Sequence, residues 1–174
     1  MYILKQIPED FVVTEISNVK ILGQGKYLYL NLKKTNRNTL DCVKEIAKQL
    51  NLKEKDVGFA GSKDKNAVTT QLVSVLGVSK EKISKIKIDN CELSILGSGN
   101  KPISLGDLEG NSCEITIGDL EEVNINKTNF VANYFDEQRF SVHNVDIGRH
   151  LVKKEFKEAV KLMDDSRADE HLEK

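Results

Sequence analysis

Lys63, Asp64 and Lys65 stand at the centre of the window Val57-Gly-Phe-Ala-Gly-Ser-Lys-Asp-Lys-Asn-Ala-Val-Thr-Thr-Gln-Leu-Val-Ser74. A carboxylate can act as a nucleophile when it is charged and fixed beside the atom it attacks. In an extended loop, neighbouring side chains point to opposite sides, so the two lysines would flank Asp64 without pairing with it. Their charge suits a carboxylate that works as an anion, and it would draw phosphates towards the loop. Two other readings stay open on residue types alone. Lys-Asp-Lys-Asn is an ordinary β-turn sequence in which Asp supplies the turn chemistry. Ser62-Lys63 could be written as a Ser–Lys dyad, although adjacent side chains diverge. The histidines (His143, His150, His171) lie far along the chain and are given no catalytic role.

The elements around this window would position it. Val57–Ala60 reads as a short buried strand that delivers a polar, glycine-entered loop. Residues 67–76 return as a second β-rich segment, an arrangement in which rigid elements hold a functional loop. Upstream, Phe11–Ile16 is β-branched-rich and reads as a strand. Lys26–Lys33 alternates, with Leu28, Leu30 and Leu32 on one side and Tyr27, Tyr29 and Asn31 on the other. Gly23 and Gly25 before it predict a hairpin turn. Asn38 or Thr39 caps a helix, and Asp41 lies in its first turn, where a carboxylate suits the helix dipole. Leu40, Val43, Ile46, Ala47 and Leu50 form its core stripe. An alternating stretch follows between Ile83 and Leu96, then a breaker cluster, Gly97–Pro102, that predicts a loop. Cys113–Ile117 reads as a strand and 119–132 as a helix. Beyond Ile147, the spacing of Leu151, Phe156, Val160 and Met163 predicts one or two amphipathic helices. The charged residues 164–174 are expected to fray.

These elements predict an α+β fold, a mostly antiparallel or mixed sheet with helices on one face, forming a single domain over residues 1–163. The 174 residues are 39% hydrophobic and 30% charged, ordinary for a globular chain. No apolar run approaches the ~18 residues of a membrane span, and the start lacks the layout of a secretory signal. Cys42, Cys91 and Cys113 are isolated, with no Cys-x-x-Cys pair. A zinc site or disulfide framework is therefore not expected, and a reducing, cytoplasmic setting is. Residues 1–100 carry 16 Lys and Arg against 11 Asp and Glu, and residues 101–174 carry 10 against 16. The basic half could meet a polyanion, or the two halves could simply be solvated surfaces of opposite sign.

Residues 58–71, Gly-Phe-Ala-Gly-Ser-Lys-Asp-Lys-Asn-Ala-Val-Thr-Thr-Gln, resemble the signature of the TruD family of tRNA pseudouridine synthases. Other stretches resemble the family in the same order: Leu4-Lys5, Pro8–Phe11 with Glu15, Gly25–Leu32 with Lys34, Asn38-Thr39, Gly110-Asn111, Asn133–Phe140, Asn144, Ile147-Gly148 and Leu151. The resemblance covers roughly residues 4–160. It implies a partial pseudouridine synthase catalytic domain that isomerises a D-arm uridine of tRNA to pseudouridine, with no metal or organic cofactor. Asp64 matches the catalytic nucleophile, Phe11 and Asn111 match substrate-binding positions, and Lys5 matches a basic position near the active site. Lys63 is expected at the substrate. Arg139 is a candidate electrostatic partner of Asp64 or a phosphate contact.

Three departures qualify the resemblance. Cys113 stands where the family has phenylalanine, an aromatic that could stack on the base. Asp136 replaces a glycine. The family's inserted domain and the strands that complete its sheet lie beyond the residues matched here. An incomplete sheet predicts an open edge, to be covered by a complementing chain or a second copy. The competing expectation is a truncated, non-catalytic RNA-binding or assembly module.

Overall fold

In the computed structural model, which describes residues 2–120 and 143–172, the strands are β1 (Ile3–Leu4), β2 (Phe11–Ile16), β3 (Tyr27–Thr35), β4 (Val57–Phe59), β5 (Val68–Leu76), β6 (Cys91–Gly99), β7 (Gly110–Ile115) and β8 (Ile117–Gly118). The helices are α1 (Thr39–Leu50), α2 (Lys80–Ile83), α3 (Asn144–Val152) and α4 (Phe156–Leu172). The chain divides into two compact units, 1–124 and 125–174. The fold is α+β with a mixed sheet.

The main sheet runs β6-β3-β5-β2-β7, and β4 also pairs with β5. The β2–β5 pair is parallel and the other ladders are antiparallel. One edge of β5 is shared: β2 pairs with its start, Val68–Thr70, and β4 with its end, Val73–Val75. Because β5 lies between β2 and β3, the Gly23–Gly25 segment is a crossover and not the predicted hairpin. Its glycine serves a close approach, since a Cβ at Gly25 would collide with the backbone of Gly99. Residues 97–99 extend β6 for a related reason: a Cβ at Gly99 would strike the Tyr29 ring. The glycines expected to break the chain instead let backbone and ring pack closely along a strand.

Register fixes which residues share a face. Lys34 is opposite Cys91 on β6 and Thr69 on β5, Thr69 is level with Val13 on β2, and Val13 is opposite Cys113 on β7. Alternation puts Leu28, Leu30 and Leu32 on the same face as this row. That face carries the largest core, in which Leu30, Leu32, Ile46, Val73 and Val75 are fully buried together with Cys42 on α1. Ile83 of α2 joins this core, so the helices of the first unit lie on one face of the sheet. The opposite face is covered by Val19, Ile103 and Leu108 packed over Tyr29, Leu72 and Ala60.

In α1 the buried residues are Thr39, Cys42, Val43, Ile46, Ala47 and Leu50, while Leu40 is half exposed. The predicted stripe is therefore rotated slightly, and a threonine and a cysteine take the place of Leu40. The helix ends at Asn51, whose φ of 55° is the left-handed cap conformation that asparagine tolerates. Of the segment read as a helix over 119–132, residues 121–132 lie outside the described residues. In the second unit, α3 and α4 pack through buried Ile147 and Ala159. Leu151, Phe156, Val160 and Met163 keep substantial exposure. Helix α4 continues to Leu172, into the charged residues beyond Met163.

Two substitutions on α1 separate the rotated stripe from the predicted one. Ile46→Ala is expected to cost about 2–5 kcal/mol, as a fully buried side chain leaves a cavity, and Leu40→Ala less than about 1 kcal/mol. Urea unfolding of both variants measures the difference.

Candidate active site

The polar loop between β4 and β5 is built from the inside. Its backbone turns towards the sheet, and side chains from three neighbouring elements satisfy it. Gln71 of β5 donates from Nε2 to the Gly61 carbonyl at 3.0 Å. Thr39, at the start of α1, accepts the Lys63 N–H at 3.0 Å and donates to Gln71 Oε1 at 2.8 Å. Lys34, at the end of β3, donates from Nζ to the carbonyl oxygen of Asp64 at 2.7 Å and lies 3.4 Å from that of Lys63. Lys34, Thr39 and Gln71 are each at most 1% exposed. Burial pulls the Lys34 ammonium below the usual lysine range, against the opposing charges of Cys42, Cys91 and Asp64.

A buried ion pair completes the support. Lys63 Nζ is 2.6 Å from Glu15 Oε2, with the two side chains 6% and 1% exposed. The other oxygen, Oε1, accepts the N–H of Leu72 at 3.2 Å. Leu72 lies where β5's edge passes from β2 to β4, beyond the reach of either ladder. Glu15 fills that gap, so one carboxylate both closes the sheet edge and neutralises the lysine next to Asp64.

With the backbone of residues 61–64 turned inward, the Asp64 carboxylate faces out, its side chain 41% exposed. Lys5 Nζ is 3.9 Å from Asp64 Oδ2 and 3.7 Å from the centre of the Phe11 ring. Lys5 reaches this position from a left-handed backbone, φ 53°, a conformation that costs a non-glycine residue roughly 1 kcal/mol. Phe11 is mostly buried against Val13 and Ala67. The structure thus brings together Lys5, Phe11 and Asp64. Asn111 is exposed on β7 directly opposite Glu15, on the same sheet face as Phe11. Cys113 lies on that face too, opposite Val13, and is exposed.

Lys63 departs from expectation. Its amine does not flank Asp64 in solvent but turns into the interior onto Glu15, which also removes it from any dyad with Ser62. Lys65 remains exposed. Arg139 and Asp136 lie outside the described residues. Among the described residues no cluster of three or more His, Cys, Asp or Glu could hold a metal, and no helix is long and apolar enough to cross a membrane.

Sequence reasoning missed the supporting roles of Lys34, Glu15 and Gln71, though a signal exists. Lys34 continues the inward positions Leu28, Leu30 and Leu32. Glu15 continues Phe11 and Val13, and Gln71 precedes Val73 and Val75. A charged or amide side chain on the buried parity of a strand needs an interior partner, and here the partner is the loop.

The chemistry available is that of an outward carboxylate, a cation beside it and an aromatic ring beneath, on a loop whose backbone is held at three points. The family model described as tRNA pseudouridine synthase D (TruD) matches residues 2–173. The chain belongs to the TruD family. It is 36% identical over 186 residues to the tRNA pseudouridine synthase D of Aquifex aeolicus (strain VF5), covering 98% of this chain and 48% of that protein. It is 40% identical over 172 residues to a probable tRNA pseudouridine synthase D of Thermococcus gammatolerans, covering 91% and 41%. The crystal structure of a putative TruD from Methanosarcina mazei superposes with a TM-score of 0.66 at 38% identity, over 68% of this chain and 27% of that one. The chain therefore spans under half the length of these curated TruD relatives.

Removing one partner of the interior pair tests the support. Glu15→Gln strands a buried ammonium and is expected to cost about 3–5 kcal/mol in urea unfolding. In the double variant Glu15→Gln/Lys63→Met most of that loss should return, because no charge is left unpaired. Equal losses in the single and double variants would remove the pair from the loop's support.

Proposed function

We propose that this chain carries the nucleophile of a tRNA pseudouridine synthase, and that the reaction is the isomerisation of a D-arm uridine to pseudouridine. The glycosidic bond to N1 of the base breaks, and the base is rejoined through C5. Asp64 attacks the nucleoside as a carboxylate. The observation that carries this reading is the cluster of Lys5, Phe11 and Asp64, an outward carboxylate on a rigidly supported loop. The target uridine must leave its stack, which costs a few kcal/mol, so the site needs groups that hold the extruded base. Phe11 and Asn111 share the sheet face on which Asp64's loop rests and take that part. Lys5 offers positive charge to the backbone phosphates. Lys63 acts indirectly, through Glu15, by fixing the loop.

No cofactor enters the reaction, and the partner is tRNA, met in the cytoplasm. The residues of β7 from Asn111 to Ile115 are exposed. A complementing chain or a second copy along that strand would close the site around the base. The same exposure, with Cys113 where an aromatic would wall the base, favours a second reading, a non-catalytic RNA-binding or assembly module.

The deciding experiment measures pseudouridine in unmodified tRNA incubated with the purified chain, alongside the Asp64→Asn variant. Product with the native chain and none with the folded variant supports the synthase reading. Binding of tRNA without product in either points to a nucleophile-bearing part that needs a complementing chain, or to the RNA-binding module, and adding the complementing chain separates the two. A folded chain that neither binds nor reacts overturns both. Lys5→Met is expected to flatten the dependence of log affinity on log salt by about one unit, the signature of a lost phosphate contact.

A further inference from the structure

The three cysteines take no part in the proposed reaction, yet two of them meet. Cys42 lies on the buried stripe of α1 and is 0% exposed. Cys91 opens β6, opposite Lys34, on the face that α1 covers. Their sulfurs are 3.1 Å apart, joined by a thiol–thiol hydrogen bond. Far apart in sequence, they are brought together by the packing of α1 on the sheet. A disulfide needs its sulfurs about 2.05 Å apart, so closing the pair takes a movement of about 1 Å.

From this geometry we infer that Cys42 and Cys91 are a redox modification site, closing to an internal disulfide on exchange with a low-molecular-weight disulfide. Three features support it. First, one member of the pair is not sealed in: Cys91, at the start of the edge strand β6, is half-buried, whereas Cys42 is fully buried. Second, the surroundings favour one thiolate. The Cys42 thiol is drawn down to about 7, first by the hydrogen bond with Cys91 and then by Arg37 and Lys34, against burial and Asp41. The bond to Cys42 and burial push Cys91 up. The pair therefore sheds one proton readily and shares the other across the sulfur–sulfur hydrogen bond. Third, the hydrogen bond lets the Cys42 thiolate take the Cys91 proton as Cys91 reacts.

The steps balance. Cys91 attacks one sulfur of the external disulfide as its proton passes to the Cys42 thiolate across their hydrogen bond, forming a mixed disulfide and releasing one thiolate. Cys42, giving its proton to that thiolate or to water, then displaces the second thiol and forms the Cys42–Cys91 bond. The protein pair loses two electrons and two protons, and the external disulfide becomes two thiols.

The test uses the full chain with Cys113→Ser, which removes the exposed third thiol. It is equilibrated with reduced and oxidised glutathione, quenched in acid, and read by intact mass and peptide mapping. The expected product is the chain short of two hydrogens, with Cys42 and Cys91 in one cross-linked peptide. It should melt at least about 5 °C higher than the reduced form. The same exchange in urea should favour the bond at least about tenfold less, because unfolding separates the sulfurs. Cys42→Ala should stop at a single glutathione on Cys91. Two glutathione adducts without a cross-link, no reaction at either thiol, or an equal yield in urea would each overturn the inference.

Discussion

The site depends on a lysine ammonium buried beneath a loop. A loop that leaves a sheet and returns to it exposes carbonyls and amides that helix or strand pairing would otherwise satisfy. Around Asp64 these groups face inward, where water is scarce, and Lys34, Thr39 and Gln71 answer them. Lys34 is the member hardest to replace. It carries charge into a place with no exposure, and it meets the carbonyl of the residue whose side chain must face out. Because the interior takes up the backbone, the carboxylate is left to the surface.

The same economy recurs at Glu15. The shared edge of β5 creates a stretch, near Leu72, where neither β2 nor β4 supplies a ladder partner. A carboxylate is the one side chain that can accept that N–H with one oxygen and a lysine with the other. Pairing β5 with two different strands is thus coupled to the charge placed beside Asp64. Sheet topology and site electrostatics are one problem with one solution.

Much of this was legible in residue order. The alternation of Leu28, Leu30 and Leu32 and the short strand Val57–Phe59 predicted where elements lie, and the signature at 58–71 pointed to Asp64. What escaped were matters of parity and adjacency. Leu40 fits a helical stripe by spacing, but the core turned towards Thr39 and Cys42, because Thr39 is needed under the loop. Gly97 and Gly99 look like punctuation, since a glycine's role in close packing is invisible until its neighbour, the Tyr29 ring, is known. Lys63 looked like a solvent-facing flank because nothing in a linear sequence says that Glu15 lies beneath it. Strand order explains the missed crossover at Gly23–Gly25: β5, which separates β2 from β3, comes later in the chain than both.

Lys5 holds its ammonium near Asp64 and Phe11 only by accepting a left-handed backbone. Glycine would relax that turn, and a search for thermostable variants would favour it. Such a variant would gain stability while emptying the space beside the carboxylate. Position 5 is therefore a place where the demands of stability and of chemistry pull in opposite directions.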